Sequence, residues 1–225
     1  MGGTSGGARP KVMMEMDGEP WIIKFPAHVD RADIGKMEYD YYLCAEQCGI
    51  TMSECNLFPS DKCSGYFGTK RFDRKNQHGE MERVHMLTVA ALLELDFEQP
   101  VLDYQDLMKL TKIITNNSPE DLENMYRRMC FNVYAHNRDD HAKNFSFLYE
   151  EEKKCWRLSP AYDLTYSTTY YGEHTTTVAG NGKNPGSKEL IFVGTQAGLS
   201  KEKCRSIAVE IKNCVSDMLS EYLNP

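Results

Sequence analysis

The hydrophobic pattern of this chain changes period once, and that change limits what the chain can fold into. Before about residue 75, apolar residues come in short runs broken by Gly, Pro, Ser and Asp. KVMMEM and WIIKF flank a DGEP turn, which predicts two strands joined in a hairpin, and two further strands are expected between Ile50 and Phe72, ending in RFDR. One helix interrupts them, from about Ala32 to Cys48, because Ile34, Met37, Tyr41, Ala45 and Cys48 recur at helical spacing and Gly49 can cap the end.

After about His85 the spacing becomes helical in MLTVAALLEL and LDYQDLMKLTKII. A further helix opens at Ser118, which can cap it. Pro119 suits its first turn, and Glu120 and Asp121 complement its positive end. Leu122, Met125, Met129, Cys130 and Val133 form the buried stripe of that helix, which delivers HNRDDHAKN at its C-terminal end. NFSFLY and CWRL then read as a hairpin, Thr165 to Gly186 as a long loop, and the segment from about Ser200 as a closing helix. The expected fold class is α+β in two lobes: a strand-rich lobe over residues 1–75 and a larger helical lobe over 76–225.

Composition excludes several classes. A chain of 225 residues with 41% hydrophobic and 26% charged residues can bury a sizeable core. The formal charge of −7 argues against a broad phosphate-tracking surface, so no direct nucleic-acid binding is expected. Neither a membrane span nor a signal peptide is indicated, and the cytoplasm is the expected location. The eight cysteines contain no CxxC pair and read as reduced, mostly buried thiols; Cys44 and Cys48 could share a metal, but no second ligand pair sits at suitable spacing.

Chemistry concentrates in HNRDDHAKN, where every residue but Ala142 carries a polar functional group. Phosphoryl transfer to a hydroxyl needs a carboxylate near the attacking oxygen and oxygen ligands for Mg²⁺, and protein-kinase catalytic loops supply both as Asp-x-x-x-x-Asn. Asp139 and Asn144 have that spacing, and Asp163 in SPAYDLT, after the hairpin, is placed to give a second metal ligand. Leu164 and Thr165 stand where the DFG element has Phe and Gly. Lys24, closing a strand before a helix that carries Glu38, matches the Lys and Glu pair that positions ATP phosphates. Gly2 to Gly7 could present backbone N–H groups to phosphate, but Ala8 stands where a Walker A motif needs Lys. The plainer readings are turn and cap residues for the aspartates and a flexible tail for the glycines.

Taken together, HNRDDHAKNFSFL, SPAYDL, GGARPK, WIIKF and RFDR resemble the signature segments of HipA-like serine/threonine kinases, the toxins of type II toxin–antitoxin systems. The resemblance implies a two-lobed protein-kinase-like fold and the use of ATP and Mg²⁺. It implies that Asp139 is the catalytic base, that His141 contacts the transferring phosphate, that Asn144 and Asp163 bind Mg²⁺, and that Lys24 contacts the ATP phosphates. It further implies that the backbone near Lys70, Arg71 and Phe72 holds adenine, that Gly6 and Gly7 belong to a phosphate loop, and that Thr4 or Ser5 is autophosphorylated. The implied partners are a protein substrate, an aminoacyl-tRNA synthetase in kind, and a restraining helix-turn-helix antitoxin. Family members usually carry a small domain before GGARPK, so this chain is expected to be a fragment or to have that part as a separate chain. The competing expectations are a metal-dependent phosphohydrolase using His136, Asp139, Asp140 and His141, and an inactive ATP-binding or partner-binding module.

Overall fold

The computed structural model describes residues 9–77, 79–95, 102–169 and 171–223. Its strands are β1 (Lys11–Met16), β2 (Glu19–Lys24), β3 (Cys55–Phe58), β4 (Tyr66–Lys70), β5 (Arg74–Gln77), β6 (Glu80–Arg83), β7 (Met86–Thr88), β8 (Leu102–Asp103), β9 (Ser146–Glu150), β10 (Cys155–Leu158) and β11 (Thr176–Thr177). Its helices are α1 (Ile34–Gln47), α2 (Val89–Leu92), α3 (Tyr104–Ile114), α4 (Pro119–Tyr134), α5 (Ser187–Ala197), α6 (Lys201–Met218) and α7 (Ser220–Leu223).

The first sheet is antiparallel in the order β1-β2-β4-β3. Its leading hairpin turns at Asp17 and Gly18, both with positive φ (53° and 77°), the two-residue geometry whose twist matches that of the flanking strands. Helix α1 lies against β3 and β4 and ends at Gly49 (φ 70°), where Ile50 N–H returns to the Ala45 carbonyl at 3.0 Å. A second sheet has the order β10-β9-β7; β9 and β10 follow α3 and α4 in the chain, and β7 precedes them. Ser118 caps α4 as expected, accepting from Asp121 N–H at 3.3 Å.

Three elements differ from the sequence expectation. MLTVAALLEL is not one helix: Met86–Thr88 pairs with Ser146–Leu148 as an edge strand, and only one helical turn follows, capped by Thr88. Pairing with β9 outweighs local helix propensity here. RFDR does not end a strand, since β4 stops at Lys70 and Arg71–Asp73 form the turn into the β5–β6 hairpin. Helix α5 was not expected; it buries Leu190, Val193, Gly194 and Ala197 along one face and ends at Gly198 with φ 105°.

The larger hydrophobic core runs through α1, α3, α4, α5 and α6 together. Among the described residues a second, smaller cluster joins Tyr42 of α1 to Cys55 and Phe67 of the first sheet. Ile34, Met37, Tyr41, Cys44 and Ala45 of α1 therefore share a core with the helices of the second half, and the buried interior does not divide near residue 75. No described helix is long and apolar enough to cross a membrane.

Candidate active site

Strand β2 carries Lys24 at its last position, and α1 carries Glu38 on its inner face, 3% exposed. Asp163 follows β10 with φ 54°, in the left-handed region that Asp tolerates better than most residues because its short polar side chain can bond locally. The Lys24 ammonium pairs with both Glu38 Oε1 and Asp163 Oδ1. Burial by itself pulls Lys24 down, but the charges of Asp163 and Glu38 outweigh it and hold the ammonium above its ordinary value. In return, the Lys24 charge holds the Asp163 carboxyl below the usual carboxylate range, with smaller help from Lys11 and His141. Lys24, Glu38, Tyr42, Thr69, Tyr162 and Asp163 line one cleft.

The 139–144 loop lies beside that cleft. Tyr162 O–H donates to the Lys143 carbonyl at 2.7 Å and shares a hydrogen bond with Ser146 Oγ, so the residue before Asp163 is tied to both sides of Asn144. The Asp139 side chain is 60% exposed. Asn144 donates from Nδ2 to the Asp139 carbonyl at 2.9 Å, which fixes its amide plane across the loop. His141 holds Nε2 3.9 Å from Asp139 Oδ1, and its Nδ1 is buried with no hydrogen-bond partner. The adjacent carboxylate goes the opposite way. Asp140, 1% exposed, accepts from Tyr104 O–H (2.9 Å), His174 Nδ1 (3.0 Å) and Thr176 N–H (3.1 Å), and its own carbonyl accepts from Thr176 Oγ1. Asn132 Nδ2 donates to Tyr104 at 2.8 Å, and Asn137 Nδ2 to Asn132 Oδ1 at 2.9 Å. This buried network fixes the loop from below.

Sequence reasoning missed Tyr104, Asn132, His174 and Thr176. The available signal was Asn132, a polar residue at helical spacing from the apolar Met125 and Met129 of α4. The phosphohydrolase ligand set does not assemble: Asp140 faces the interior, and among the described residues His136, Asp139, Asp140 and His141 form no group able to hold a metal.

The 70–72 segment is occupied by internal bonds. The Lys70 ammonium pairs with Glu19 at 3.0 Å, its backbone N–H donates to Glu54 and its carbonyl accepts from Ser53 Oγ. Arg71 grips Asp73 with two bonds, of 2.9 and 2.7 Å, and its N–H donates to Pro20. Phe72 packs on Tyr162 with centroids 5.6 Å apart and so borders the Asp163 segment. Thr4, Ser5, Gly6 and Gly7 lie outside the described residues.

Comparison with known proteins bears on the family and the fold. The family model described as HipA-like C-terminal domain matches residues 3–218. A curated relative from Sinorhizobium fredii (strain NBRC 101917 / NGR234), named "Putative kinase Y4dM", is 28% identical over 175 residues, which span 72% of this chain and 41% of the relative. Among solved structures, the HipA, HipB and operator DNA complex of the Shewanella oneidensis MR-1 toxin–antitoxin system gives a TM-score of 0.77 at 17% identity, covering 99% of this chain and 58% of the matched one. The proinflammatory kinase CtkA of Helicobacter pylori gives 0.61 at 12% identity, covering 93% and 91%. This chain therefore spans about half the length of the first two relatives. The Shewanella structure contains operator DNA, so the expectation of no direct nucleic-acid contact is not borne out. With a strand-rich part and a helical part arranged in the kinase-like fold of both solved neighbours, the chain belongs to the HipA-like C-terminal domain family.

Proposed function

We propose that this chain is the catalytic region of an ATP-dependent, Mg²⁺-using serine/threonine protein kinase that acts as a toxin restrained by an antitoxin. The observation that carries the reading is the Lys24 ammonium held between Glu38 and Asp163, beside a loop that presents Asp139 and Asn144. In a kinase the lysine of such a pair positions nucleotide phosphates, and the reaction needs little from the protein beyond positioning and charge.

In this reading Lys24 binds the phosphates, Asp139 accepts the proton of the attacking hydroxyl, and His141 contacts the transferring phosphoryl group through Nε2, the ring nitrogen that faces Asp139. The donor set suits Mg²⁺, a hard cation that takes oxygen ligands. The Asp163 carboxylate and the Asn144 amide oxygen would hold it, and when bound it supplies charge neutralisation at the phosphates. The hydrogen bond from Asn144 Nδ2 spends the nitrogen within the loop, which favours the oxygen as the outward-facing group. Adenine falls to the Phe72 end of the 70–72 segment, because the polar backbone groups of Lys70 and the Arg71 N–H are already bonded. Thr4 or Ser5 remains the proposed autophosphorylation site, on a loop with Gly6 and Gly7. Residues 1–75 form the nucleotide-binding lobe and 76–225 the catalytic lobe of the same reading, and the substrate is a protein, such as an aminoacyl-tRNA synthetase, in the cytoplasm.

Incubation with γ-labelled ATP and Mg²⁺ tests this. Label should appear on Thr4, Ser5 or an added protein, and Asp139→Ala should reduce transfer by roughly 10²- to 10⁴-fold while the fold is retained. Unchanged transfer in that variant sinks the assignment.

A further inference from the structure

Helices α1 and α6 pack against each other, and their facing turns carry two pairs of sulfur residues. At the end of α1 these are Cys44 and the capping residue Cys48, four residues apart and both fully buried; on α6 they are Cys214 and Met218, also four apart. Residues at that spacing share a helix face. The thiol sulfurs of Cys44, Cys48 and Cys214 all lie within 4.8 Å of one another. Cys44 Sγ and Cys214 Sγ are 3.9 Å apart, and the Met218 thioether lies 3.7 Å from Cys214 Sγ. All three cysteines are free.

We propose that these three thiols, with Met218 at the open side, form a binding site for a thiophilic d¹⁰ metal ion, Cu(I) or Zn²⁺. Metal–sulfur bonds of about 2.3 Å arranged tetrahedrally place the sulfurs about 3.8 Å apart, which is the spacing already present between Cys44 and Cys214. Thiolate and thioether donors together select soft ions over Mg²⁺ or Ca²⁺. The groups that hold nucleotide-bound Mg²⁺ in the kinase reading are oxygens, so the two sites do not compete. Cys214 is the half-buried member and gives the entry path, while Cys44 and Cys48 form the closed floor.

Metal capture explains the cluster better than a disulfide. A disulfide would use two of the three sulfurs and leave the third unbonded, whereas one ion can take all three, which already lie within 4.8 Å of one another. A thiophilic ion instead displaces the protons: each coordinating S–H releases H⁺ to solvent as its sulfur–metal bond forms, and no oxidant is needed. The site also has a mechanical consequence. It would clamp α1, the helix that carries Glu38, to α6.

The full chain, reduced and freed of metal with chelator, should be titrated with Cd²⁺ as a spectroscopic stand-in and then with Zn²⁺ and buffered Cu(I). One equivalent should give a thiolate-to-Cd²⁺ charge-transfer band, Cu(I) should displace it, and Zn²⁺ bound first should raise the Cd²⁺ needed to produce it. Cys214→Ser should weaken binding by at least about tenfold, whereas Cys63→Ser, at a thiol outside the cluster, should leave it unchanged. In the unmutated protein, alkylation of Cys214 followed by peptide mass spectrometry should slow at least about tenfold when Zn²⁺ is added, which tests the site even if a variant fails to fold. The proposal is overturned by any one of four results: no band in the wild type, a band undiminished in Cys214→Ser, equal Cys214 alkylation with and without Zn²⁺, or a Cys44–Cys214 disulfide formed in place of metal binding.

Discussion

Asp139 and Asp140 are neighbours in the chain with opposite environments, and their replacement should separate chemistry from stability. The Asp139 side chain stands 60% exposed, so Asp139→Ala should shift stability by no more than about 0.5 kcal/mol. Asp140→Ala removes a buried acceptor and orphans Tyr104, His174 and the Thr176 N–H, at a cost of about 3 kcal/mol, or roughly 6–12 °C in melting temperature for a chain of this size. Thermal melts of both variants check this, and equal destabilisation would refute the division. Asp163 gives a pH test. Its folded-state value lies below the ordinary one, chiefly because of Lys24, so its contribution is present above the unfolded carboxylate range and fades as pH falls through the folded value. Asn tolerates the left-handed backbone at this position, so Asp163→Asn isolates the charge. The gap in melting temperature between wild type and Asp163→Asn should shrink from pH 7 toward pH 3; a constant gap would rule the ion pair out as its cause. The sequence shows the polar density of HNRDDHAKN, and its spacing singles out Asp139 and Asn144. It does not show which of two adjacent carboxylates turns inward, because that depends on Tyr104, His174 and Thr176, brought together only by the fold.

Helices with complete local signals were legible, and elements defined by tertiary pairing were not. Helix α4 has its Ser118 cap, its Pro119 and its acidic first turn in one stretch of sequence. Met86–Thr88 has no such signal, because its strand character comes from β9, some sixty residues later. Helix α5 was masked by the Gly- and Asn-rich loop that runs into it, although Glu189 caps its start by accepting from Gly186 N–H at 3.0 Å. Its position in the bundle depends on Gly194. A β-carbon there would lie 2.5 Å from Cys204 Sγ and 2.5 Å from the Tyr126 ring, on α6 and α4 respectively. Tyr126 cannot swing clear without breaking its O–H bond to the Cys204 carbonyl (3.1 Å). Gly194→Ala should therefore destabilise the protein by about 1–3 kcal/mol despite the better helix propensity of Ala, and denaturant unfolding will measure it. Neutral or increased stability would mean that α5 does not pack this closely.

At the scale of the molecule, the strand-rich and helical parts are joined by more than a hinge. Helix α1 belongs to the first part in sequence but inserts Ile34, Met37, Tyr41 and Cys44 into the core of the second, and Tyr41 O–H donates to the Ala135 carbonyl at 2.7 Å, just before HNRDDHAKN. At its outer side, Asp40 accepts from Tyr222 O–H on α7 and pairs with Lys36. Among the described residues the first sheet buries Trp21, Ile23, Cys55 and Phe67, and the cluster that joins the last two draws Tyr42 again from α1. A piece this small buries too little apolar surface to offset the conformational entropy of ordering it. The placement of Glu38 opposite Lys24 is consequently stabilised by packing in the other half of the protein. Unfolding of the full chain should then be one transition, with calorimetric and van't Hoff enthalpies equal, and residues 1–75 alone should show no cooperative melt. Two separate transitions, or a cooperative melt of the isolated piece, would show that the strand-rich part is stable without the helical core.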